Sequence, residues 1–186
     1  IGLKKGDKHI QINDSIIQIE NEYYSSIRPK RVVQSGQRPI NVLKNKGIEY
    51  IEVRCLDNNP FLRGSIDKHT AYFIEAYLMV SLIEENYPFD KNRIKEIQDN
   101  WQNTVRKGRD PNLLLKRDGK TISVKDAAEE VFSKIYDYAF ALPIEADDLK
   151  KKILRSLDIQ KAKLRNSDLT PSGMILKEME EKNISW

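Results

Sequence analysis

Residues 47–61 read GIEYIEVRCLDNNPF, a stretch opened by Gly47 and closed by Asp57, Asn58, Asn59 and Pro60. Ile48 to Leu56 between these breakers is expected as a β-strand. Alternation sends Ile51, Val53 and Cys55 to one side, and Ile48, Tyr50, Glu52 and Arg54 to the other. A half-polar strand of this kind needs neighbours along both edges. Few other strand segments are on offer, so the missing partners are expected in residues outside this chain.

The segment HIQINDSIIQIENEYY, His9 to Tyr24, is split by the turn formers Asn13, Asp14 and Ser15. Its second run puts Ile17, Ile19, Asn21 and Tyr23 on one face, with Gln18, Glu20, Glu22 and Tyr24 opposite. SSIRPKRVVQSGQRPIN follows, with Pro29, Gly36 and Pro39, and is expected as a long ordered loop.

After Arg63 the period becomes helical. Asp67 to Glu85 is apolar on nearly every side and reads as a buried helix. Asp90 can cap a helix with Ile94, Ile97, Trp101 and Val105 on one stripe and Gly108 just past its end. LLLKRDGKTISV carries Asp118-Gly119 between β-prone runs, a hairpin signal. Ser123-x-x-Asp126 is a capping box opening a helix along Val124, Ala128, Val131, Ile135, Tyr138 and Leu142, closed by Pro143. Leu149 to Leu164 is a further amphipathic helix. Thr170 and Pro171 start a last one, with Met174, Ile175 and Met179 inward.

The 186 residues are 39% hydrophobic and 32% charged, with 32 Lys+Arg against 28 Asp+Glu for a net charge of +4. That balance is too weak to indicate nucleic acid by itself. The most apolar run, Ala71 to Ile83, is interrupted by Glu75 and Ser81 and falls short of the roughly 20 residues a bilayer needs. The single cysteine, Cys55, excludes an internal disulfide and fits a reducing compartment. The chain begins at Ile1 rather than methionine, and the expectation is a piece of a longer protein.

Glu52 and Arg54 could be no more than a surface ion pair worth about 0–1 kcal/mol. Against this, Glu20, Glu22 and Tyr24 share a face of the neighbouring run, and Arg28, Lys30 and Arg31 surround Pro29 between them. Carboxylates and basic residues on a rigid sheet suit a magnesium–nucleotide site, where carboxylate oxygens hold the cation and arginine neutralises phosphoryl oxygens.

IQIENEYYSSIRPKR followed by GIEYIEVRCLDNNPF resembles the bacterial glutamate–cysteine ligase family of the proteobacterial type (γ-glutamylcysteine synthetase). The likeness continues through NWQNTVRKGRDPNLLL, at Asn100, Trp101, Gly108, Arg109 and Pro111, and into TPSGMILKEM. It is tightest from Gln18 to Phe61. The resemblance implies an α+β fold. Strands of a glutamine-synthetase-like open antiparallel sheet occupy residues 1–62, and a mainly helical region, 63–186, packs on them. It implies ATP-dependent joining of the γ-carboxylate of glutamate to the amine of cysteine through a γ-glutamyl phosphate, the first step of glutathione biosynthesis in the cytoplasm. Mg²⁺ or Mn²⁺ would serve as metal. By the same resemblance Glu52 holds the metal, Arg54 contacts the transferring phosphoryl group, and Tyr24 binds cysteine. Arg28, Lys30 and Arg31 match the motif without individual roles, and Glu20 and Glu22 are weaker candidates. The rest of the site belongs to the family's first half, so the remainder of the same enzyme is the expected partner. The 186 residues alone are expected to be inactive.

Two rival readings stand. One is another γ-glutamyl amine ligase of the glutamine-synthetase superfamily. The other is a non-enzymatic helical module binding nucleic acid through Arg28, Lys30, Arg31 and the lysine-rich helix, which the near balance of acids and bases disfavours. His9 and His69 read as surface or packing histidines, Cys55 as a small buried side chain, and Trp101 as core. Lys150-Lys151-Lys152 reads as a solvated helix face. Gly36 and Gly64 stand alone, so no glycine-rich phosphate loop is present.

Overall fold

The computed structural model describes residues 4–10, 25–85 and 90–184. The chain divides into two units, Ile1–Asp57 and Asn58–Trp186, described in turn.

In the first unit, β1 (Lys4–Lys5) and β2 (Lys8–His9) form a minimal hairpin around Gly6, whose φ of 65° suits a residue without Cβ. β3 (Ile27–Lys30) pairs antiparallel with β4 (Tyr50–Val53), in the register Ile27↔Val53, Arg28↔Glu52, Pro29↔Ile51 and Lys30↔Tyr50. Between them lies α1 (Pro39–Lys46). The expected long loop over residues 25–41 is therefore corrected: it contains a strand and the start of a helix. Both prolines read as breakers are accommodated. Pro29 sits in a strand with one partner among the described residues, and Pro39 occupies the first helical position, where its missing N–H costs nothing. The strand expected from Ile48 to Leu56 shrinks to Tyr50–Val53, because β3 offers only four residues to pair with. Among the described residues every sheet has two strands, so β4 has one neighbour.

The second unit holds α2 (Lys68–Ile83), α3 (Lys91–Lys107), the hairpin β5 (Leu114–Arg117) and β6 (Lys120–Ser123), α4 (Val124–Ala141), α5 (Asp147–Arg165) and α6 (Pro171–Lys182). Local chemistry sets these boundaries. The Asp67, Asp90 and Ser123 side chains accept hydrogen bonds from the backbone N–H of Thr70, Arg93 and Asp126, at 2.7, 2.8 and 3.0 Å. Asp118 and Gly119, at φ 51° and 76°, make the tight turn of β5–β6. Gly173 is buried where a Cβ would lie 2.4 Å from the Ser167 carbonyl oxygen, so α6 packs closely only with glycine there.

The core is the junction of α2, α4 and α5: Ala76, Val80, Phe132, Ile135, Ala139, Ile153 and Leu157. Phe73 meets Phe132 edge-on, with centroids 6.0 Å apart. The one buried polar side chain among the described residues, Ser156, donates to the His69 carbonyl and ties α5 to the first turn of α2. Two expectations fail here. α2 is not buried all round: Ala76 and Val80 are buried, but Leu82 and Ile83 stay 75% and 70% exposed. Trp101 is not core, at 45% exposure, and the α3 stripe to which it belongs faces solvent. The hairpin instead holds the polar side of α3. The Asn100 amide pairs with Lys116 through both its backbone groups, at 2.7 and 2.8 Å, and Glu96 accepts from the Asp118 and Gly119 N–H groups. Among the described residues no helix is long and apolar enough to cross a membrane.

Ile135, fully buried at the centre of α4, should cost about 2–5 kcal/mol when cut to alanine, read as a lowered denaturation midpoint at unchanged m-value. Asp67 has its carboxyl held below the ordinary range, first by the hydrogen bond from the Thr70 N–H. A depressed folded-state value stabilises the fold above the unfolded value near pH 4, and that stabilisation is lost as pH falls through the lower folded value. Asp67→Ala should therefore lose about 1 kcal/mol at pH 7, with the deficit against the parent chain shrinking below about pH 4 in denaturant titrations.

Candidate functional site

The β3–β4 register decides which charges meet. Arg28 lies directly opposite Glu52, and Lys30, one pleat along, opposite Tyr50, so all four project from one face. Arg54 follows β4, its N–H donating to the Ser26 carbonyl at 2.7 Å, which extends the ladder one step. The opposite face carries Ile27, Pro29, Ile51 and Val53.

Glu52 is the centre of the charged face. Its Oε1 lies 3.4 Å from Arg54 Nε, and its Oε2 lies 3.3 Å from Lys30 Nζ. Oε2 is shielded from solvent and accepts no hydrogen bond, so Lys30 faces it at ion-pair distance without hydrogen-bond alignment. Two cations thus flank the carboxylate, and Arg28 stands opposite it in the strand register. The Glu52 and Arg54 side chains are each about one-third exposed, so both reach an open surface. A shielded carboxylate oxygen without a donor suits a cation, and the excess positive charge beside it suits phosphoryl oxygens. Among the described residues no three His, Cys, Asp or Glu side chains converge, so Glu52 alone cannot complete a metal's coordination shell.

Arg31 does something else. Its Nη1 donates to the carbonyls of Lys46 and Gly47, at 2.8 and 3.1 Å, closing the C-terminal end of α1. Glu49 faces Arg31 Nε at 3.7 Å and accepts from the Val32 N–H. Arg31 thus braces α1 against the β3–β4 ribbon; the only hint in the sequence is its place just past the strand. Tyr24, Glu20 and Glu22 lie outside the described residues. Cys55, expected as a small buried side chain, is exposed, because pairing ends at Val53 and alternation no longer governs its direction. Lys151 and Lys152 are exposed as expected, paired to Asp147 and Asp148 one turn back, whereas Lys150 is half-buried with its ammonium 4.6 Å from the Phe140 ring centroid.

A carboxylate is thus held between basic groups on an antiparallel ribbon. Known proteins similar to this chain give its family. The glutamate-cysteine ligase family model matches residues 1–104. Glutamate–cysteine ligases of Pseudomonas putida and a Janthinobacterium species are 41% and 38% identical across the whole of this chain. A solved structure, the Francisella tularensis glutamate–cysteine ligase in complex with AMP, is 40% identical and superposes over 93% of the chain with a TM-score of 0.78. This chain belongs to the glutamate–cysteine ligase family. It spans 35% of the Pseudomonas putida ligase and 34% of the Francisella tularensis chain, about a third of their lengths.

Arg31→Ala should leave the β3–β4 register in place while loosening α1. An expected loss of about 1 kcal/mol corresponds to roughly fivefold faster hydrogen exchange across residues 39–46. Unchanged exchange there would remove the bracing role.

Proposed function

We propose that this chain supplies part of the active site of an ATP-dependent glutamate–cysteine ligase, a cytoplasmic enzyme joining the γ-carboxylate of glutamate to the amine of cysteine in glutathione biosynthesis. The observation that carries the reading is the shielded, hydrogen-bond-free Oε2 of Glu52 on a face shared with Arg28, Lys30 and Arg54. Family membership and the AMP bound in the Francisella tularensis relative support it. The β3–β4 ribbon would be part of a larger glutamine-synthetase-like sheet. An isolated two-stranded ribbon is marginal in water, and β4 has one partner among the described residues. Residues 1–62 would then carry catalytic strands, with 63–186 forming a mainly helical region.

In this mechanism the charged face positions the terminal phosphate of ATP. Arg54 places its guanidinium on the transferring phosphoryl group, where it offsets charge building on the equatorial oxygens. Lys30 and Arg28 add positive potential along the same face, lowering the cost of bringing a polyanionic nucleotide to it. Glu52 would hold Mg²⁺ or Mn²⁺ by exchanging its Lys30 contact for the cation, with Glu20 and Glu22 of this chain as weaker candidate ligands and the remaining ligands supplied from outside it. Bound there, the metal supplies charge neutralisation and orientation of phosphate oxygens. Transfer to the γ-carboxylate of glutamate gives a γ-glutamyl phosphate. The cysteine amine then attacks its acyl carbon, and phosphate leaves with the bonding electrons. Tyr24 is proposed to bind the cysteine.

In a full-length ligase containing these residues, Arg54→Ala should lower kcat/KM by about 10³-fold or more. Glu52→Gln keeps the size and removes the charge, so divalent-cation binding should weaken while the circular dichroism spectrum stays unchanged. Phosphate release should be fastest with cysteine among the amines offered, and the 186 residues alone should release none. Dipeptide formation by the isolated chain, or full activity in Arg54→Ala, would overturn the reading.

A further inference from the structure

α3 is docked by the face that helices ordinarily leave to solvent. At 3.6 residues per turn, Arg93, Glu96, Asp99 and Asn100 fall on one arc, and these are the partly sheltered residues of the helix. Ile94, Ile97, Trp101 and Val105 fall on an arc centred roughly 140° away. They are 42%, 47%, 45% and 67% exposed, and α3 has no buried residue at all. Scattered exposed apolar side chains need no explanation, but four in register along one helix are the mark of an interface.

We propose that this stripe is the seat of an intramolecular contact with the portion of a glutamate–cysteine ligase polypeptide that lies outside these 186 residues. The identity of the occupant rests on the ligase reading; the existence of the docking face rests on α3 alone. Three observations select this occupant. The matched relatives are about three times as long as this chain, so most of such a polypeptide remains to be packed against something. The stripe is bordered by Gln98, Gln102 and Thr104 together with Lys91 and Arg93, a mixed polar rim of the kind that surrounds a contact between protein surfaces. Four half-exposed side chains offer a few hundred Å² at most, below the roughly 800 Å² per partner of stable association between separate molecules. Within one polypeptide the translational cost is absent, and so small a contact suffices. The first unit repeats the pattern, with Ile27 and Ile51 at 42% and 47% exposure on the face opposite the charges.

The test replaces, in the Pseudomonas putida ligase, the third that this chain matches with these 186 residues. Hydrogen exchange across Lys91–Lys107 is then compared between the graft and the 186-residue chain. Docking predicts at least tenfold slower exchange of residues 97–105 in the graft. Val105→Asp should reverse the slowing and Val105→Thr reverse it in part, with exchange in α4 and α5 unchanged. Lys95→Arg, off the stripe and able to keep the pair with Asp99, should have no effect. Equal exchange in both proteins overturns the proposal. So does slowing that appears in the 186-residue chain at high concentration and vanishes on dilution, which would make a second copy the occupant. Phosphate release with glutamate and cysteine, measured on the same graft, separates the two readings. Slow exchange without turnover sinks the ligase assignment and keeps the docking face; turnover with α3 still in fast exchange does the reverse.

Discussion

The antiparallel register of β3 and β4 is the constraint on which the functional reading depends. Because Arg28 stands opposite Glu52, the alternation of both strands gathers Arg28, Lys30 and Glu52 on one side. A slip of one residue would bring Ile27 or Pro29 opposite Glu52 and turn the β3 charges to the other face. Two backbone bonds beyond the paired residues hold the register at its ends, from Glu49 N–H to the Lys30 carbonyl and from Arg54 N–H to the Ser26 carbonyl. The second of these also fixes where the Arg54 side chain begins. Arg31, drawn off to the end of α1, leaves the face to the other three cations.

The charges on that face are not arranged for stability. An ion pair about one-third exposed contributes little, and a shielded carboxylate oxygen without a donor works against folding. Stability comes from elsewhere, in the second unit from the close packing of Ile135, Leu157, Ile153 and Phe132 where three helices meet. Under the proposed function that cost would be recovered when ligand binds the charged face.

Much of the second unit was readable from local pattern. Asp67, Asp90 and Ser123 mark helix starts because a capping side chain bonds to backbone only three residues away. Asp118-Gly119 marks the hairpin because few residue pairs adopt two successive positive φ values. Pro29 and Pro39 misled, since proline ends an element in the interior but not at a helix start or in a strand that has one neighbour among the described residues. Trp101 and Cys55 misled for a different reason. Apolar character says that a side chain would gain from burial; it does not say that this chain supplies the cover.

The residues by themselves determined the helix starts at Asp67, Asp90 and Ser123, the hairpin turn at Asp118-Gly119, and the placing of Glu52 two residues from Arg54. Each of these rests on interactions spanning a few positions, whose geometry the backbone dictates wherever the segment sits. Only the tertiary structure decided that Lys30 joins Glu52, that Arg31 leaves the charged face for the carbonyls of α1, and that α3 docks through Glu96 and Asn100 rather than through its apolar stripe. Those outcomes depend on which segments meet across long stretches of chain, and a side chain's own preference cannot name the partner it will find.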